Sequence, residues 1–66
     1  MFLVTIKFNN RTNLIVNMND EQLNQFKTNK QIYTWLTLNK YTDSLKDETE
    51  INTNNITTIV YQPNPK

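Results

Sequence analysis

The sequence predicts a small α+β domain, in which a mostly antiparallel sheet of four to five strands carries one short helix on one face. Three features predict it: two runs of alternating apolar and polar residues near the start, a group of helix-start signals after them, and many β-branched or aromatic residues in the rest of the chain. The predicted order of elements is β-β-α-β-β-β. The 66 residues suffice for a single domain, which we expect to span residues 1–61.

The first two strands form a predicted hairpin. Apolar side chains recur at every second position over residues 2–8 and again over residues 13–18, which is the period of a half-buried strand. Residues 9–12 between them are polar and include two asparagines. Because the chain has no glycine, we expect asparagine to supply the positive φ that such a turn needs.

The helix follows the hairpin directly. Asn19 is a favourable N-cap, Gln22 stands where it completes a capping box, and acidic residues occupy the first turn. Met18 and Leu23 flank the cap and can contact each other across it. These signals agree on one boundary, so the sequence predicts a helix over residues 20–29.

The second half of the chain gives less regular patterns. Residues 31–38 are predicted as a strand because of their β-branched and aromatic content, although Ile32, Trp35 and Leu36 also have helical spacing. Residues 39–48 carry Asp43, Asp47 and Glu48 and show little periodicity, so we expect a mobile loop there.

The end of the chain is predicted to close the sheet. Residues 49–52 and 55–61 read as a strand pair around a turn at Thr53 and Asn54, or as one bulged strand. Residues 62–66 contain both prolines of the chain. Because a proline has no N–H to donate, we expect these five residues to form a tail outside the sheet.

The composition excludes most kinds of active site. The chain has no His, no Cys and no Gly, so it lacks a side chain that ordinarily titrates near neutral pH, a thiolate nucleophile and the glycine turns of phosphate-binding loops. We therefore expect no catalytic residue, no cofactor and no metal. A secreted domain of this size usually carries disulfides, so we expect a cytoplasmic protein.

The predicted helix is too short for the predicted sheet. A ten-residue helix is about 15 Å long, whereas four or five strands spaced at about 4.8 Å are about 15–20 Å wide. We therefore expect apolar strand surface that only another molecule can cover, and a homodimer is one way to cover it.

Strand parity suggests which side chains form that surface. If Leu36 faces the helix, then Tyr33, Trp35 and Tyr41 lie on the opposite face of the sheet. The reverse parity, with Trp35 in the core, is the alternative. Exposed aromatic patches mark interaction surfaces, so we expect this face to bind another protein. The expected contact residues are Trp35, Tyr33, Leu3, Ile15, Lys7 and Tyr61.

Two further functions stay open. The first is nucleic-acid binding through aromatic residues together with Lys27, Lys30 and Lys40, although the formal net charge of the chain is only +1. The second is sequestration of a small ligand in a pocket between protomers.

The chain also resembles a class of proteins in its general features. Its size, its excess of Asn, Thr, Ile and Lys, and its hairpin-helix-sheet pattern are similar to those of short accessory proteins of phages and other mobile elements, some of which are anti-CRISPR or other anti-defence inhibitors. The resemblance implies a non-catalytic action, in which a compact surface occupies a site on a larger host protein.

Overall fold

The computed structural model describes residues 1–63 and confirms the predicted α+β class. The elements are β1 (Phe2–Phe8), β2 (Asn13–Met18), α1 (Asp20–Ile32), β3 (Trp35–Thr37), β4 (Glu50–Asn52) and β5 (Ile56–Pro63), with 3-10 turns at Leu38–Lys40 and Thr53–Asn55. Strands β2-β1-β5 form one antiparallel sheet in that order, and β3 and β4 form a second, two-stranded antiparallel sheet.

The β1–β2 hairpin turns through residues 9–12. The N–H of Phe8 donates to the carbonyl of Thr12, and the N–H of Arg11 donates to the carbonyl of Phe8, both at 3.0 Å. The expectation that asparagine takes the positive φ is wrong, because Arg11 has φ 70°. Asn10 stabilises the loop differently, since its side-chain oxygen accepts from the N–H of Thr12 at 3.1 Å.

Helix α1 begins as predicted and ends later. The Asn19 side chain accepts from the Gln22 N–H at 2.8 Å, and the Gln22 side chain accepts from the Asn19 N–H at 3.0 Å, which completes the capping box. The helix continues to Ile32 rather than stopping near residue 29, and the N–H of Tyr33 closes its last turn on the carbonyl of Asn29. No glycine or proline interrupts this stretch, so nothing in the sequence stops the helix earlier.

The predicted strand over residues 31–38 is therefore wrong in its bounds. Its first two residues belong to α1, only Trp35–Thr37 form a strand, and Leu38 starts a 3-10 turn. The helical spacing correctly indicates that Ile32 belongs to the helix, whereas the β-branched and aromatic content correctly indicates a strand only for Trp35–Thr37.

Residues 39–48 also differ from the predicted mobile loop, because they are anchored. The Asn39 side chain donates to the Asp47 carbonyl at 2.9 Å and accepts from the Thr49 N–H at 2.7 Å. Tyr41 and Thr42 are buried. One amide side chain thus holds the two ends of the loop together, a contact that periodicity does not reveal.

The three-stranded sheet extends further along the chain than predicted, because β5 includes Gln62 and Pro63. Pro63 lies opposite Phe2. The backbone N–H of Phe8 donates toward β2. Because successive residues of a strand direct their backbone groups to opposite neighbours, the even-numbered residues of β1 bond to β2 and the odd-numbered ones to β5. Phe2 is even-numbered, so the backbone of Pro63 opposite it points away from β1, and the proline removes no hydrogen bond between the two strands. The rest of the predicted tail, residues 64–66, lies outside the described residues.

The core forms where α1 and the two-stranded sheet cover one face of the three-stranded sheet. Side chains from both sheets meet Phe26 of the helix, and Phe26 also contacts the Tyr41 ring edge-on at a centroid distance of 5.7 Å. This face is called the inner face below, and the uncovered one the outer face. The buried apolar residues are Val4, Ile6, Val16, Met18, Leu23, Phe26, Leu36, Leu38, Tyr41 and Ile51.

The positive φ of Arg11 predicts a stabilising substitution. Asn tolerates the left-handed region better than residues with longer side chains, so Arg11→Asn should raise the free energy of unfolding by about 0.5–1 kcal/mol. Arg11→Lys keeps both the charge and the backbone cost and is the matched control. Urea unfolding of the three proteins measures the difference, and equal midpoints for the Asn and Lys variants would contradict it.

Candidate functional site

Three of the exposed large apolar side chains lie close together in sequence. Ile32, Tyr33 and Trp35 are 66, 56 and 60% exposed, and together with Thr34 they run from the last residue of α1 to the first residue of β3, a stretch called the 32–35 segment below. Trp35 is therefore a surface residue, and the alternative that it fills the core is wrong. Three large apolar side chains within four residues make this segment the strongest candidate for a binding site.

The backbone of the 32–35 segment is fixed from two sides. The Tyr33 N–H donates to the Asn29 carbonyl of α1 at 2.9 Å, and the Thr53 N–H donates to the Thr34 carbonyl at 2.7 Å. The Thr53 hydroxyl also lies within hydrogen-bond distance of the carbonyls of Tyr33 and Thr34. The aromatic side chains thus project from a backbone that is already ordered, which lowers the entropy cost of binding.

The two aromatic rings border different clefts. Trp35 lines a cleft of about 380 Å³ with Phe8 and Leu14, whose side chains lie on the inner-face side of the hairpin. Tyr33 lines a cleft of about 330 Å³ with Lys40 and Tyr41. The segment therefore separates two concave surfaces, and a partner that covers it can reach into both.

Three of the predicted contact residues lie on the outer face, as parity suggested. Leu3, Lys7 and Ile15 belong to the set of side chains opposite the buried ones in β1 and β2. Ile15 is 60% exposed and pairs with Thr5, which pairs in turn with Val60 of β5. This row gives the outer face a narrow apolar strip.

The structure does not join the aromatic residues to that strip. Trp35 belongs to the two-stranded sheet, where it pairs with Asn52, and Tyr33 precedes β3. The prediction that both stand beside Leu3 and Ile15 on one sheet face is wrong. It assumed that all strands share one sheet, whereas β3 and β4 form a separate layer over the inner face.

The prediction that Tyr61 belongs to the same contact face as Leu3 and Ile15 is also wrong. It pairs with the buried Val4, so its side chain lies on the inner-face side. The Lys27 ammonium stands 4.5 Å from the centre of the Tyr61 ring, a cation–π contact. Burial raises the pKa of the Tyr61 hydroxyl above its ordinary value, so this group stays neutral at physiological pH.

Tyr41 does not belong to an exposed aromatic stripe either. It is only 5% exposed, and its ring contacts Phe26. Its hydroxyl accepts a hydrogen bond from the Asn29 side chain at 2.8 Å. Tyr41 is therefore a core residue whose one polar atom has a partner, and the predicted stripe is wrong at this position.

The three lysines considered for nucleic-acid binding lie beside two different clefts. Lys27 stands over the Tyr61 ring, and Tyr61 lines the same cleft beside β5 as Lys30. Lys40 lines the other cleft, beside Tyr33, so the structure groups Lys27 with Lys30 and does not join Lys40 to them.

Ile32 was missed as a site residue. Its apolar side chain stands at the last position of α1, immediately before Tyr33. The signal was present in the sequence, because an apolar residue outside the Leu23 and Phe26 stripe of a short helix has no neighbour on the helix to pack against.

Two further kinds of site are absent from the described residues. Within residues 1–63, no group of three acidic side chains comes close enough to hold a metal ion. None of the helices in this part of the chain has the length and apolar character needed to cross a membrane.

The 32–35 segment, fixed in backbone and bordered by two clefts, is therefore the candidate site on structural grounds alone. Comparison with known proteins adds no family to this description: no family model, no curated protein and no solved structure matches the chain.

Proposed function

We propose that the chain is a non-enzymatic interaction protein that binds a larger protein through the 32–35 segment and blocks a site on it. The observation that supports the proposal is the exposure of Ile32, Tyr33 and Trp35 on an ordered backbone. Tryptophan and tyrosine are the residues that most often dominate binding energy at protein interfaces. The resemblance to short phage inhibitors implies the same mode of action by occlusion.

A Trp35→Ala variant tests this proposal. Because the Trp35 side chain is 60% exposed, its removal should lower the melting temperature little while weakening partner binding about 30-fold or more, as loss of a central aromatic anchor does. The measurement is capture from a bacterial host lysate on the immobilised protein, followed by calorimetric titration with the captured partner and an assay of the partner's own activity.

Ile15→Ala is the matched control, since Ile15 is equally exposed but lies on the outer face. It should leave the affinity within about threefold of the wild type. Wild-type affinity of the partner for the Trp35→Ala variant, or a marked loss of its affinity for the Ile15→Ala variant, would contradict the assignment of the 32–35 segment as the binding site.

Nucleic-acid binding is a second candidate because Tyr33 and Lys40 line the same cleft, where a base could stack beside a phosphate contact. We expect labelled single-stranded and duplex oligonucleotides to show no retention at about 50 mM salt, where electrostatic binding is strong. Retention that Lys40→Ala abolishes would favour this second function over protein binding.

We further propose that the chain forms a homodimer along β5. This strand ends the three-stranded sheet, and its eight residues ITTIVYQP carry no charge, so no charged side chain of the strand itself opposes pairing at this edge. By the alternation described above, Ile59 and Tyr61 direct their backbone groups away from β1. Antiparallel pairing of two copies around Val60 gives four hydrogen bonds between these residues.

A charge at the two-fold axis tests the homodimer. Val60→Lys places two ammonium groups side by side across the axis, so it should convert the dimer to a monomer, since like charges directly opposite are destabilising. Ile15→Lys adds the same charge to the same face on β2 and should leave the dimer intact. Light scattering measures the mass; a monomeric wild type at about 100 μM, well above the Kd of a typical stable dimer, or a dimeric Val60→Lys variant, contradicts this pairing.

A further inference from the structure

The clefts of the described surface differ in charge. The cleft beside Trp35 is lined by one carboxylate, that of Glu50, and by no lysine or arginine. The cleft beside Tyr33 is lined by Lys40, and the cleft beside β5 by Lys30. Of these three, only the Trp35 cleft favours a cationic ligand.

The register of the two-stranded sheet places the indole and the carboxylate on one face. Trp35 pairs with Asn52 and Thr37 pairs with Glu50, so Trp35 and Glu50 are diagonal neighbours. Diagonal Cα atoms on one face of an antiparallel pair are about 7–8 Å apart, a gap that a planar cation can bridge. Both side chains are exposed.

We propose that this cleft binds an arginine side chain of the partner protein, with its guanidinium stacked on Trp35 and paired with Glu50. The inference rests on the proposed function, since the arginine belongs to the protein that the 32–35 segment binds. A guanidinium stacks on an aromatic face and binds carboxylates through parallel N–H donors, which an ammonium cannot do.

The other walls of the cleft fit the rest of an arginine side chain. Phe8 and Leu14 are half-buried and border the cleft, so the methylene stem of the arginine has apolar surface to contact. Amide and hydroxyl oxygens surround the opening, among them those of Asn13 and Thr49. They can accept hydrogen bonds from guanidinium N–H groups that Glu50 leaves free.

The single tryptophan of the chain makes the site measurable without the partner. The probe is the tripeptide acetyl-Ala-Arg-Ala-amide, titrated while the indole N–H resonance of Trp35 and its fluorescence are recorded. We expect saturable shifts with a Kd of about 1–10 mM, the range for one small anchoring group. The same peptide with Lys should bind at least about threefold more weakly, and with citrulline about tenfold more weakly.

Two variants assign the effect. Glu50→Gln should weaken binding of the arginine peptide about tenfold, whereas Glu48→Gln removes the same charge from an exposed residue that does not line the cleft and should change it less than about twofold. Equal binding of the arginine and citrulline peptides, equal effects of the two variants, or no saturable shift would overturn the arginine site.

These outcomes are separable from the fate of the proposed function. If the peptide does not bind but Trp35→Ala still abolishes partner capture, the 32–35 segment is the binding site and its ligand is not arginine. If the peptide binds as expected but Trp35→Ala leaves capture intact, the cleft is real and the proposed function is wrong.

Discussion

The structure depends on covering the inner face of the three-stranded sheet. Three strands are about 10 Å across, close to the width of one helix, but α1 has only two buried residues, Leu23 and Phe26. The two-stranded sheet and the turn after it complete the cover, with Leu36, Leu38 and Ile51 in the core. The chain reaches a Cα radius of gyration of 11.1 Å, against about 10.8 Å expected for a compact domain of this length. The inner face is therefore covered within one chain except at its margin, where the half-buried Phe8 and Leu14 border the cleft beside Trp35.

Side-chain amides and hydroxyls organise the backbone of this glycine-free chain. Asn19 caps α1, and Asn39 binds backbone groups across its loop. At the free edge of β2, the Asn17 N–H donates to the Ser44 hydroxyl at 3.0 Å, and the Thr42 hydroxyl donates to the Asn17 carbonyl. Such local bonds substitute for backbone pairing, so loop 39–48 protects part of the β2 edge. The edge of β5 has no comparable bond in the described residues, which is why the proposed self-association uses β5.

The features that could be predicted from the sequence depend on neighbours a few residues apart. The hairpin follows from alternation over single strands, and the capping box follows from the spacing of Asn19 and Gln22, so short-range sequence patterns predict both features. The division into two sheets was not, because the pairing of Trp35 with Asn52 joins residues distant in sequence and no local pattern specifies it. The same limit applies to the site: the sequence indicated that Tyr33 and Trp35 matter but placed them on the wrong surface.

The exposure of the 32–35 segment is better explained by binding than by a lack of room in the core. The same fold buries Phe26 completely and Tyr41 almost completely, and it gives the Tyr41 hydroxyl a hydrogen-bond partner, so large aromatic side chains can be accommodated. The segment is also not a loose connection, since Thr53 fixes its carbonyls. A tryptophan that is 60% exposed adds less to folding than a buried one, whereas a partner gains a rigid apolar anchor with few rotamers to restrict. The arrangement thus supports the proposed recognition role, in which the Glu50 carboxylate beside Trp35 would select a cationic side chain of the partner.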